Sequence, residues 1–170
     1  MKAALDELMN LLETHLSLYG QLAGLLDREQ AALLELDVVG LQKMAKTKET
    51  LSLKIRLHLP ALTESIRSTA RALGLPESPL PVLAQMASAA PEPWANRLNR
   101  ASLALARLKR EVGRHNEINR HFVQESLDMI AGHLSILTGA ATKSRESGYQ
   151  SNGQRTAGPS YGPVKLNREV

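Results

Sequence analysis

Between Ala3 and Leu36 the apolar residues recur three and four positions apart. Leu5, Leu12, Tyr19, Leu26 and Leu33 hold one heptad position, and Leu8, His15, Leu22, Glu29 and Leu36 hold the other. This spacing predicts a long amphipathic helix. Leu16, Leu18, Leu25 and Leu34 widen the stripe beyond a two-position seam, so the helix is expected to pack on more than one neighbour, as in a bundle. His15 and Glu29 interrupt the seam and are expected at helix edges, with their polar ends in solvent.

Asp37 is placed to cap a second helix, and Gly40 allows a bend or short turn beside it, so residues 3–73 read as one kinked helix or as two. The second stretch runs from Val38 to Leu73 through Leu41, Met44, Leu51, Ile55, Leu59, Leu62, Ile66 and Ala70. Pro60 lies inside it and predicts a bend around His58 and Leu59, or a break, because proline removes a backbone hydrogen bond and crowds the preceding turn. Gly74 and then Pro76 end the helix.

Five of the eight prolines fall in residues 75–93, which read as a connection between helices, with room for two helical turns over Val82 to Ala89 after Pro81. The last helix is expected from Trp94 to Leu137, about 65 Å long at the α-helical rise. One stripe, Trp94, Leu98, Ala101, Leu105, Leu108, Val112 and His115, continues through Asn119, Phe122, Ser126, Met129, His133 and Ile136. A second opens at Val123, Leu127, Ile130, Leu134 and Leu137. Two stripes require two partners, and any part of the second that the first 73 residues do not reach is left exposed. After Thr138 the chain turns to Gly, Ser, Thr, Asn and Pro, which predicts disorder in isolation. The expected organisation is a helical domain over 1–138 and a flexible Gly/Ser/Tyr tail over 139–170. The expected fold is all-α: an elongated antiparallel helical bundle or coiled coil of two to four helices.

Composition agrees with this reading, since Leu and Ala supply most of the apolar content and both favour helix. The absence of cysteine excludes disulfides, thiolate metal sites and cysteine nucleophiles. The N-terminus turns acidic at Asp6 and Glu7 and lacks the apolar core of a secretory signal, and no run approaches a bilayer span, so membrane insertion is not expected. Of the net charge of +4, the tail carries +3, from Lys143, Arg145, Arg155, Lys165 and Arg168 against Glu146 and Glu169. The remainder is close to neutral, with cations spread among acids, and nucleic-acid binding is not expected.

Nothing in the sequence assembles a reaction site. His115, Glu117 and His121 lie about 200° and 240° apart around a helix and do not converge on a metal. No Gly-rich phosphate loop is present, and acids such as Asp27, Glu29 and Glu64 read as solvated partners of Lys and Arg. Neither enzymatic activity nor a cofactor is expected. What remains is Asn116 and Asn119, two middling helix formers on one face in mid-helix. Asn119 could fix register in a bundle seam, or the two amides could pin an incoming amphipathic helix beside the apolar stripe.

Taken in order along the chain, these features resemble the flagellar type III export chaperones for hook-associated proteins, the FlgN family. The resemblance rests on the Leu-rich first helix with Tyr19 near its middle, the segment Lys46-Thr47-Lys48-Glu49-Thr50-Leu51, the stop at Leu73-Gly74-Leu75, and Asn116 with Asn119 on a long last helix. Two Tyr-Gly pieces of the tail, Ser147 to Gly153 and Tyr161-Gly162, resemble the family's closing segment. Phe122-Val123 departs from the family's usual Leu-Ile pair, and so does Pro60 within the second helix.

The resemblance implies a cytoplasmic, non-enzymatic chaperone that holds the C-terminal helices of hook–filament junction proteins, prevents their premature assembly and delivers them to the export gate and its ATPase. The client-binding residues expected are Asn116, Asn119, Phe122, Val123, Leu127, Ile130, Leu134 and Leu137, with Tyr149 of the tail. The alternative reading is a self-associating helical scaffold subunit with no client, in which the second stripe is buried between copies.

Overall fold

Two left-handed residues mark the ends of the first two helices. The computed structural model describes residues 1–76 and 83–138, and among these α1 spans Lys2–Glu35, α2 Val38–Ala72, α3 Leu83–Ala89 and α4 Trp94–Leu137. At the first reversal Leu36 adopts φ 57°, with its own N–H donating to the Leu33 carbonyl and Asp37 N–H to that of Ala32. This is the paired bonding of a Schellman terminus, in which a left-handed residue satisfies the last carbonyls of the helix. The Asp37 carboxylate then accepts the Gly40 N–H at 2.9 Å and starts α2. A side chain at Gly40 would collide with that carboxylate. Residues 3–73 are therefore two helices. Leu36, expected on the buried seam, is 75% exposed because it forms the turn.

The second terminus repeats the first with glycine. Gly74 has φ 71°, and the Gly74 and Leu75 N–H groups donate to the carbonyls of Arg71 and Ala70. Leu75 then packs against the core cluster that contains Ala70, the apolar contact that accompanies this motif. Pro60 does not break α2, which is continuous through it. Pro60 and Arg56, whose carbonyl loses its helical donor, both lie on the exposed side, where water can replace the missing bond.

The chain divides into two compact units, Met1–Val123 and Gln124–Val170. Within the first, α1 and α2 run antiparallel, as shown by Thr69 with the Ala4 carbonyl, His58 with the Leu11 carbonyl and Lys48 with Glu29. The α4 segment of this unit runs parallel to α1: Trp94 Nε1 donates to Asp6, Arg97 pairs with Glu13, and Asn119 donates to the Leu26 carbonyl. The topology is up–down–up, with the connection from α2 to α4 starting and finishing at the same end.

The core of this unit is built in layers. One apolar cluster joins Leu5, Leu8, Met9 and Leu12 of α1 to Leu62 and Ala70 of α2, Met86 and Ala87 of α3, and Leu98 and Ala101 of α4. A second joins Leu22, Leu25 and Leu26 to Leu51, with Met44, Ile55 and Val112 against it. Each fully buried leucine contributes about 1.5–3 kcal/mol of transfer free energy. In sequence His15 falls between the α1 members of the two clusters and His58 between the α2 members, and their rings stack at 5.6 Å. His15 is 2% exposed, so it is a core residue and not the helix-edge residue its polarity suggested. Its imidazole supplies flat area against His58 and Tyr19, whose ring lies 5.0 Å away.

Candidate functional site

The described part of the second unit is the last stretch of α4, Gln124–Leu137, and Thr138; none of these residues is buried. Leu127, Ile130, Leu134 and Leu137 are 54–82% exposed. Their spacing of three, four and three places them within an arc of about 80° at 3.6 residues per turn. The spacing matches the alternating positions of a coiled-coil seam. Met129 and Ile136, on a different face, are 63% and 67% exposed. The flanks of the row carry no strong charge: Ser126 and His133 stand on one side, Gln124 and Ala131 on the other. Helix propensity and local bonds such as Gln124 Nε2 to Asp128 support this stretch. Its apolar side chains are available to an outside surface.

The other expected site residues lie in the first unit and differ among themselves. Asn116 is exposed, Val123 is 42% exposed, and Phe122 is half-buried. Asn119 is 4% exposed, and its Nδ2 donates to the Leu26 carbonyl and to Glu29 Oε2, each at 2.9 Å. Its amide is thus engaged with α1, the register-setting arrangement. Its Oδ1 has no hydrogen-bond partner. Tyr149 lies outside the described residues, as does the tail expected over 139–170.

Glu29 is the centre of this polar layer. One oxygen accepts Lys48 Nζ at 2.6 Å, while the other accepts Lys48 at 2.9 Å and Asn119 at 2.9 Å. A carboxylate on α1 therefore joins α2 and α4, where the sequence suggested a solvated pair. The signal was present: Glu29 and Asn119 both stand at seam positions, and each is the group the other requires. His115, one turn before Asn119, is also buried, and its Nε2 lies 2.8 Å from Arg114.

In the histidine layer, burial foremost, then His58 and Lys109, pushes the His15 pKa down from 6.5 to about 4. His15 is therefore neutral near pH 7, and its Nδ1 has no hydrogen-bond partner. His58 Nε2 lies 3.0 Å from the Leu11 carbonyl, so that nitrogen carries the proton and donates. Among the described residues no group of three His, Cys, Asp or Glu could hold a metal ion, and no helix is long and apolar enough to cross a membrane.

These features define an all-α bundle with a bare apolar row on its last helix. The family model described as FlgN protein matches residues 1–157, and the chain belongs to the FlgN family, flagellar export chaperones that bind hook-associated proteins. No curated protein and no solved structure matches the chain.

Proposed function

We propose that this chaperone works in the cytoplasm by laying the C-terminal helices of hook–filament junction proteins on Leu127, Ile130, Leu134 and Leu137, preventing premature assembly and carrying them to the export gate and its ATPase. The observation that supports this reading is the seam-like spacing of four large apolar residues that are all more than half exposed. An amphipathic client helix would offer a matching seam, and the weakly charged flanks impose no charge pattern on it. Covering about 600 Å² of apolar surface yields ~15 kcal/mol gross at ~25 cal/mol/Å². Lost motional freedom and ordering of the client consume most of that, which leaves micromolar binding or tighter. Asn116 and Val123 are the further residues by which a client would extend its contact, and Tyr149 is the tail residue proposed to take part.

The test is calorimetry of the full chain with C-terminal segments of hook–filament junction proteins, comparing wild type with a Leu127→Asp, Ile130→Asp, Leu134→Asp variant. Tight 1:1 binding by wild type, lost in a variant of unchanged helicity, is the expected result. If neither protein binds, and light scattering finds a wild-type oligomer that the variant dissociates, the row is a self-association seam and the client surface is refuted.

A further inference from the structure

The first unit carries a second distinctive row on α4, away from the seam that packs on α1. Arg100, Leu103, Arg107, Arg110 and Arg114 follow one another at intervals of three and four. They fall within an arc of about 80° and extend about 21 Å along the helix. All five are exposed, Leu103 by 65%. Among the described residues none of Arg100, Arg107 and Arg110 is paired with a carboxylate, whereas Arg97, nearby on the same helix, pairs with Glu13. Beside the row Leu103, Ala104, Arg107, Leu108 and Glu111 bound a shallow, open depression over the small side chain of Ala104.

The near-neutral charge of residues 1–138 conceals this arrangement because the charges are segregated by helix. Six of the eight charged side chains of α1 are acidic, and seven of the nine on α2 are basic. Unpaired arginines in a row repel one another, and an acidic partner relieves that repulsion while gaining bidentate guanidinium–carboxylate bonds. The exposed Leu103 inside the row adds an apolar anchor that simple charge attraction does not need. The row contains no aromatic residue on which a nucleic-acid base could stack.

We propose that this row is a docking surface for an acidic amphipathic helix of a protein partner. The partner's carboxylates pair with Arg100, Arg107, Arg110 and Arg114, and an apolar side chain packs on the exposed Leu103 beside Ala104. The surface shares no residue with Leu127 to Leu137.

The experiment uses the full chain and a fluorescein-labelled synthetic helix of about 20 residues, with leucine at seam spacing and glutamate on its flanks. Controls are a peptide of the same composition in scrambled order, oligo-dT and phosphatidylserine vesicles. Fluorescence anisotropy is expected to show the ordered peptide bound at least about tenfold more tightly than the scrambled one. An Arg107→Glu, Arg110→Glu variant and a Leu103→Asp variant, each of unchanged helicity, are expected to weaken that binding about tenfold, and added salt to weaken it further. Leu127→Asp with Ile130→Asp is expected to leave it unchanged, which separates this surface from the client reading. Equal affinity for the two peptides overturns the proposal, and so does insensitivity to either row variant. Arginine-dependent binding of oligo-dT or vesicles that exceeds peptide binding assigns the row to phosphate instead.

Discussion

Replacing Glu29 with alanine removes the acceptor shared by Lys48 and Asn119 and leaves the rest of the layer in place. A hydrogen bond to a charged group is worth about 1.5–3 kcal/mol, and the partly buried Asn119–Glu29 bond is assigned about 2 kcal/mol within that range. The Lys48 side chain is about one-third exposed, and its ion pair contributes about 1 kcal/mol at most. Asn119 Nδ2 keeps the Leu26 carbonyl, which limits the penalty for losing Glu29. The expected cost of Glu29→Ala is therefore about 3 kcal/mol, against about 2 for Asn119→Ala and about 1 for Lys48→Ala. Urea unfolding of each variant, followed by far-UV circular dichroism at neutral pH, measures the series. The double variant Glu29→Ala, Asn119→Ala is expected to cost at least about 1 kcal/mol less than the two single losses together. Equal losses for Glu29→Ala and Lys48→Ala, or strict additivity, would refute Glu29 as the joint between three helices.

The depressed pKa of His15 makes stability depend on pH. The unfolded chain takes up a proton near pH 6.5 and the folded one only near pH 4, so the contribution is whole above 6.5, falls as pH drops from 6.5 to 4, and is constant below. Urea midpoints measured across this range should show the slope, and His15→Phe should flatten it. The two left-handed termini predict opposite signs. Leu36→Gly relieves a strained backbone and raises stability by about 0.5 kcal/mol, while Gly74→Ala introduces strain and lowers it by about 1 kcal/mol. Thermal unfolding of both variants reads the contrast. Leu98→Ala should cost about 3 kcal/mol, because the side chain is fully buried where α4 meets the first apolar cluster, and urea unfolding checks it.

The helices were legible because three-and-four spacing is a property of the chain itself. Leu5 to Leu33 and Leu41 to Leu73 show it without reference to any partner. The second stripe of α4 was legible for the same reason, and Leu127, Ile130, Leu134 and Leu137 are indeed exposed. Polar seam residues were harder to place, since their cost depends on which neighbours meet them. Glu29 has no reason to be inside until Lys48 and Asn119 arrive from elsewhere in the chain, and His15 none until His58 stacks on it. A break at Pro60 does not occur, since the carbonyl of Arg56 that loses its donor lies on the exposed side of α2, where water can take the bond. The arginine row was missed because net charge was summed along the chain, whereas the pattern exists around one helix.

The up–down–up order also sets the timing of folding during synthesis. Asp6 meets Trp94, and Leu26 meets Asn119, across 88 and 93 residues of chain. Once Ala72 has been made, 65 residues remain before Leu137. At the usual ~5–20 residues per second of synthesis, the α1–α2 hairpin exists for about 3–13 seconds before α4 is complete. Throughout that interval the ribosome-bound hairpin presents the leucines that α4 will cover, so an export chaperone passes through a stage at which its own apolar core lies open.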